Sequence, residues 1–349
     1  MAGRVIDPSR APVAYGRRAV PQLFEELQRP EVDWRNRALT SLCDLLHDPE
    51  LIYQTVNGGF LDQLRVLFAD EDPSVRSKTC ELLRIVASHS IGRQATLSSS
   101  LLPPLAQLLD DSSSSCRRNV LRVLSSLSQL PAGSHALLTL VPKLMQKLME
   151  EEEEEEEEVQ VLLLSTISSC SRMDPLSTLA ADGVSLLSQK LSHRSPDVRR
   201  EAAAAMMAIS ICEDGKRQVC AEAVLPVLVA LLQDEDIEVQ VNAAGGIMYT
   251  VTTTPGKQQC LDLDIIPILL DLVSKEKEEE EESVEKKRRR KARTVYCLRA
   301  LTALAEAPNG RRALLKQLPI LAARTEAAEE DQDIRRAAQT AVQVITWTP

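Results

Sequence analysis

Hydrophobic positions along this chain follow a helical rhythm, and the rhythm itself repeats. From Val75 the apolar or small side chains fall at Thr79, Cys80, Leu83 and Val86; from Cys116, at Val120, Leu121, Leu124 and Leu127; from Val239, at Ala243, Ala244, Ile247 and Thr250. Offsets of 0, 4, 5, 8 and 11 lie along one stripe of an α-helix. Segments of this kind start near 34, 75, 116, 157, 198, 239, 293 and 334, and every interval but one is 41 residues. Two other markers keep the same phase. Gly92, Gly133, Gly215 and Gly256 are separated by 41, 82 and 41 residues, with Asp174 at the missing position. Pro21, Pro103, Pro226 and Pro267 are separated by 82, 123 and 41, and each leads a leucine-rich run such as "LLPPLAQLL" or "VLPVLVALL". The glycines are expected to end helices in the left-handed conformation, which they adopt without steric cost.

A fixed period of this length marks stacked supersecondary units, none of which can bury its apolar face alone. Each unit reads as a short segment after the glycine, a Pro-marked leucine-rich helix and a longer striped helix. This pattern, L-P-x-L-x-x-L-L followed by D-x-x-V-R-x-x-A, resembles the armadillo repeat; HEAT repeats are of similar length but have two helices. The resemblance implies an all-α fold, a right-handed α-solenoid of about eight armadillo-like (ARM/HEAT-class) repeats with a long groove.

Two charged tracts test this register. Glu150 to Glu158 are nine consecutive glutamates, a run that by itself suggests a disordered linker. Yet Val161 and Leu162 hold offsets 4 and 5 of the unit phased at Glu157, and Asp174 arrives on schedule. The run therefore adds no length, and it is expected to form the turn between two helices and the first turn of the next, where glutamate suits the helix dipole. The second tract does break register: Gly256 to the glycine of "NGRR", Gly310, is 54 residues. The excess is expected as an exposed loop insertion at 275–293, from "KEKEEEEESVEKKRRRKAR". Residues 17–347 then form one armadillo-repeat domain, after a flexible segment at 1–16.

Composition narrows the function. Aromatics make up 3% of the chain against 44% hydrophobic residues, so the core must come from Leu, Val, Ile and Ala, which suits helix-on-helix packing. The net charge of −10 would be −1 without the nine glutamates. Such a body offers no broad cationic field for nucleic acid or an anionic membrane. "MAGRVIDPSRAP" lacks the apolar run of a signal peptide, and the longest apolar stretch, Val224 to Leu232, is too short for a bilayer. A soluble, intracellular protein is expected. The eight cysteines show no C-x-x-C spacing and read as small core residues.

No catalytic, metal or cofactor constellation emerges. His47, His89, His135 and His193 are far apart, near helix ends, without paired metal spacing. The glycines belong to no phosphate-binding loop. "KKRRRK", Lys286 to Lys291, could serve as a nuclear-localisation or anion-binding patch, but over 275–293 its nine basic residues stand beside seven acidic ones. The recurrent polar feature is a basic residue one position after the stripe begins: Arg35, Arg76, Arg117, Arg199 and Arg335. They should form a ladder along the array, either capping neighbouring carbonyls or contributing to a protein-binding groove.

Several segments carry a closer resemblance. "AYGRRAVPQLFEELQ" (Ala14 to Gln28), "LCDLLHDPELIYQ" (Leu42 to Gln54) and "DPSVRSKTCELLRIVASHSIGR" (Asp72 to Arg93) are similar to the radial spoke head family of armadillo-repeat proteins, as are "GKRQVC" and "LTALAEAPNGRRAL". That likeness implies a non-enzymatic scaffold of the ciliary and flagellar axoneme. It would belong to the cytoplasmic cytoskeleton and have other radial spoke or axonemal proteins as partners, with no cofactor, nucleic acid, membrane or small-molecule substrate. Other classes are a nuclear-import-like peptide adaptor and a catenin-type signalling scaffold. The first needs a Trp/Asn ladder, whereas this chain has only Trp34 and Trp347, and Asn242 has no Trp partner one turn on.

A single array predicts that limited proteolysis spares the acidic turn and cuts first within 275–293. Preferred cleavage at 150–158, releasing two independently stable halves, would contradict it.

Overall fold

The computed structural model describes residues 18–150, 157–274, 283–326 and 331–347. The expected flexible segment at 1–16, the middle of the acidic tract and the first part of the 275–293 insertion lie outside these residues. Among the described residues there is no strand, and eight helices reach fourteen residues or more. They are α1 (Val32–Leu45), α2 (Pro73–Ala87), α3 (Ser114–Ser128), α4 (Glu157–Met173), α5 (Pro196–Ile209), α6 (Ile237–Thr250), α7 (Val284–Leu304) and α8 (Gln332–Thr346). Two shorter helices separate successive long ones: between α2 and α3, for example, lie Ser90–Ser98 and Leu102–Gln107.

The chain divides into two compact units, one ending at Leu140 and one starting at Val141. In the first, α1 packs on α2 and α2 on α3; in the second, α4 to α8 pack each on the next. The striped positions make these contacts. Leu83, Val86, Leu124 and Leu127 are fully buried in the first unit, as are Leu163, Ala202, Ile247, Leu298 and Leu301 in the second. Each buried leucine contributes about 1.5–3 kcal/mol of apolar transfer. All eight cysteines are free thiols, seven of them buried, and burial pushes Cys43, Cys170, Cys260 and Cys297 up to about 12.

Local chemistry sets the helix starts. Asp72 accepts the backbone N–H groups of Ser74 (2.8 Å) and Val75 (3.3 Å), and Pro73 follows it at the first helical position. Asp236 does the same for Glu238 (2.7 Å) and Val239 (3.2 Å), and Asp331 for Asp333 (2.9 Å) and Ile334 (3.3 Å).

Two expectations need correction. The phased glycines do not end helices. Gly92, Gly133, Gly215, Gly256 and Gly310 are each the third residue of a short helix. There a Cβ would overlap the carbonyl oxygen near the end of the preceding long helix: Val86, Leu127, Ile209, Thr250 and Leu304, respectively. The glycine allows a sharp fold-back of one helix onto the next. Left-handed backbone occurs elsewhere, at Gly59, Asp182, Ala223 and Asp264 (φ 69°, 55°, 53° and 49°), just ahead of the middle helix of a unit.

Residues 284–293, expected as part of a loop, are helical. Ser283 accepts the Lys286 N–H (3.3 Å) and starts α7, which runs through the whole basic run. Lysine and arginine are good helix formers. Arg289 also pairs with Glu238 (2.7 Å), and Lys291 with Asp331 (2.9 Å) and Asp333 (2.6 Å). An all-charged stretch carries no apolar stripe, so periodicity could not reveal this helix.

The glycine geometry predicts opposite signs for two substitutions. Gly215→Ala, which on helix propensity alone should stabilise by about 1 kcal/mol, should instead destabilise by about 1–3 kcal/mol through overlap with the Ile209 carbonyl. Ala223→Gly should relieve a left-handed alanine and raise stability by up to about 1 kcal/mol. Urea denaturation of both variants checks the pair.

Candidate protein-interaction face

The expected ladder arginines are bonded within the chain. Arg76 Nη1 donates to the carbonyl oxygens of Asp70 (2.8 Å) and Glu71 (3.1 Å), in the turn leading into its own helix. Its Nε and Nη2 meet both carboxylate oxygens of Asp111, at 2.6 and 3.2 Å. Arg199 repeats this with His193 and Arg194 (2.9 Å each) and with Asp234 (2.8 and 3.1 Å). Arg35 repeats it with Arg29 (3.0 Å), Pro30 (2.6 Å) and a 2.9 Å salt bridge to Asp70. Arg117 holds the carbonyls of Asp111 (2.9 Å) and Ser112 (3.4 Å). Arg335 stands half-buried at the same place in α8.

Each aspartate also accepts a backbone N–H two residues on: Asp72 on Asp70 (3.0 Å), Ser113 on Asp111 (2.8 Å) and Asp236 on Asp234 (2.9 Å). The arginine thus fixes the turn before its own helix and the turn before the next. Where Gln240 replaces arginine, its Nε2 still reaches the Asp234 carbonyl (2.6 Å), and its oxygen accepts from Arg293 of α7 (2.5 Å). The paired side chains are largely buried, Arg76 being 16% exposed and Asp111 4%. Little of these guanidinium groups is left for a partner.

Fixing the turns aligns the outward faces. On α5 the partly exposed positions Arg200, Ala204 and Met207 run along one stripe that continues to Ile211; on α6 they are Glu238, Val241, Asn242 and Tyr249; on α7, Arg289, Ala292, Tyr296 and Arg299. At the leading ends the charges satisfy each other. Arg200 meets Asp197 (2.7 Å), Asp236 (2.5 Å) and Glu238 (3.0 Å), and Arg289 joins at Glu238. Glu201 is pushed up by desolvation, against the opposing fields of Arg172 and Arg200.

The first unit's face is polar and bonded internally. Asn36 donates to the Ser74 hydroxyl (2.7 Å), Ser77 and Ser115 hydroxyls share a hydrogen (3.0 Å), Lys78 meets Glu81 (3.0 Å), and Asn119 reaches the Ser77 carbonyl (3.4 Å). Asn242 makes the equivalent bond to the Arg200 carbonyl (3.2 Å). Trp34 and Trp347 are stacked on by arginines, Arg29 at 4.5 Å and Arg311 at 5.9 Å, far apart in sequence. Among the described residues no group of three or more metal-ligating side chains occurs, and no helix is long and apolar enough to cross a membrane.

Three-helix units with bonded turns and, within each compact unit, aligned outward positions define an all-α, armadillo-like helical-repeat scaffold suited to protein binding. More specifically, the chain belongs to the dynein axonemal assembly factor 5-like, TPR repeat family, whose model matches residues 70–271. TPR units have two helices; the two shorter helices before each long one here follow the armadillo pattern. Solved structures agree. An engineered protein from the Northeast Structural Genomics Consortium superposes with a TM-score of 0.75 at 19% identity, over 95% of this chain and 89% of its own. A designed armadillo repeat protein does so with 0.61 at 21% identity, over 66% and 99%. Another, solved in complex with the peptide (KR)4, gives 0.60 at 22% identity with the same coverage.

The Arg–Asp bonds make stability depend on pH. Burial alone would raise the Asp111 carboxyl, but the hydrogen bonds from Arg76 and from the Ser113 N–H hold it below its usual range; Asp236 and Asp331 are lowered in the same way by Arg200 and Lys291. Their contribution is fully present above the unfolded value of about 4 and is lost as pH falls through the lowered folded values. Urea midpoints should therefore drop between pH 5 and pH 3, and Asp111→Asn should flatten that drop while costing about 2–4 kcal/mol at pH 7. An identical pH profile in the variant would remove Asp111 from the account.

Proposed function

We propose that this chain is a non-enzymatic structural subunit of the radial spoke complex, resembling radial spoke head protein 14 homologues, and that it works by binding other spoke or axonemal proteins in motile cilia and sperm flagella. The observation that carries this reading is the use of the recurrent polar groups. Arginines such as Arg76 and Arg199, their aspartates and the phased glycines hold helices in register within each unit, which leaves the outward faces as the means of action. The sequence segments similar to radial spoke head proteins support the axonemal setting, and so does a family named for an axonemal dynein factor.

The family match over residues 70–271 favours a second reading, assistance in the assembly of axonemal dynein before its delivery to the cilium. Location separates the two. In multiciliated cells carrying a tagged chain, a spoke subunit stays with detergent-extracted axonemes and co-purifies with spoke proteins after salt release. An assembly factor stays in the detergent-soluble cytoplasm with dynein heavy chains. A purely nuclear signal would sink both and favour the peptide-adaptor class.

A further inference from the structure

The outward face of the second unit carries one cluster of partly exposed apolar side chains, gathered over a glycine. Gly245, in the middle of α6, lies beneath two side chains from the flanking helices. A Cβ there would overlap the Met207 thioether of α5 and stand 3.3 Å from Cε2 of Tyr296 on α7. A second glycine, Gly246, follows it. Two adjacent glycines inside a helix cost about 1 kcal/mol each relative to alanine, so the close seating of Met207 and Tyr296 over α6 is made against local preference. Tyr249, one turn on along the same stripe, lies near enough to Tyr296 to act on its phenol. Burial and this neighbour raise the Tyr296 hydroxyl, and Arg299 opposes the rise. Neither tyrosine hydroxyl has a hydrogen-bond partner within the chain among the described residues. Methionine adapts its shape to an incoming apolar group, and tyrosine offers a large rigid surface at low entropic cost.

Arg299 acts on the Tyr296 phenol from the same helix. Arg299 is exposed and closes no salt bridge among the described residues, and Arg172, at the end of α4, is bonded only to the neutral hydroxyls of Ser168 (3.0 Å) and Ser169 (3.3 Å). The ladder arginines Arg35, Arg76 and Arg199, by contrast, meet carboxylates. Glu201 lies within the field of Arg172 without closing a salt bridge to it among the described residues.

We infer that Met207, Tyr249 and Tyr296, gathered over Gly245, form with the exposed Arg172 and Arg299 a surface seat for a partner-protein segment that presents apolar side chains next to carboxylates. The inference rests on the protein-binding reading of this face and adds the chemistry of the partner. It is the opposite sign from the (KR)4 peptide held by the designed armadillo protein.

The test uses the full chain and two fluorescein-labelled peptides, (LE)4 and (LK)4, in fluorescence anisotropy at physiological salt. The chain's net charge of −10 favours the basic peptide non-specifically. Tighter binding of (LE)4 by about tenfold or more would therefore report the local seat. Arg172→Glu/Arg299→Glu, a change of two exposed side chains, should weaken (LE)4 by about tenfold and spare (LK)4. Met207→Ala/Tyr249→Ala should weaken both peptides, with circular dichroism confirming that each variant is helical. Equal or tighter binding of (LK)4, or unchanged (LE)4 binding by the arginine variant, would overturn the inference. Spoke proteins co-purifying equally with wild type and the arginine variant would also overturn it while leaving the spoke reading intact. Selective (LE)4 binding by a chain that brings down no spoke protein would uphold the seat and remove the spoke assignment.

Discussion

The bond that organises each unit is the fork of an arginine between two turns. One nitrogen of Arg76 ties the carbonyls of Asp70 and Glu71, while the other two meet the carboxylate of Asp111, which holds the N–H of Ser113. Helix packing alone would leave neighbouring helices free to slide, because apolar contact is non-directional. The planar fork supplies direction. It sets where each long helix begins relative to the one before it, and the stripe positions follow. Helix order, buried face and outward face are then consequences of one repeated geometry.

The glycine at the third position of the short helix that follows α2, α3, α5, α6 and α7 acts at the other end of the long helix. It lets the chain turn back tightly enough that the backbone touches the last carbonyls of the helix just completed. Helices α2 and α5 are therefore bounded by two local devices: an Arg–Asp fork where each starts and a glycine contact where each ends. Between them the apolar stripe needs only to be the right volume, which is why Cys80, Leu83, Val86, Ala202 and Ile247 can fill similar places.

These devices explain what the sequence disclosed and what it concealed. The all-α repeat architecture was legible because stripe, proline and glycine kept one phase, and three markers in phase require a common unit. The ladder arginines were found as positions, but their partners were not, since the accepting aspartate lies thirty-five residues on, beyond any local motif. The glycines were misread because sequence shows that a Cβ is missing without showing whether φ or close contact demands it. Helix α7 was hidden by its charge, which erases the apolar period. The seat around Gly245 was missed for a geometric reason. Met207 and Tyr296 come from helices either side of α6, at different offsets within their units, and meet only once the helices are stacked. Its visible signal was the pair "GG" inside a striped helix, a local penalty with no turn to justify it.

Set beside each other, the two units use the same devices for different surfaces. The first unit's stripe closes on itself through Asn36–Ser74, Ser77–Ser115 and Lys78–Glu81. Such a face is already satisfied, and a partner would have to replace those bonds to gain by touching it. The second unit satisfies only the leading ends of its helices, through Arg200, Arg289 and the acids around them. Farther along, where α5, α6 and α7 pass Gly245, its side chains are apolar or cationic and lack such partners. Binding there displaces water from methionine and tyrosine without breaking an internal bond, so the same contact area yields more net affinity. On physical grounds, the second unit is where a scaffold of this construction can hold a partner most tightly.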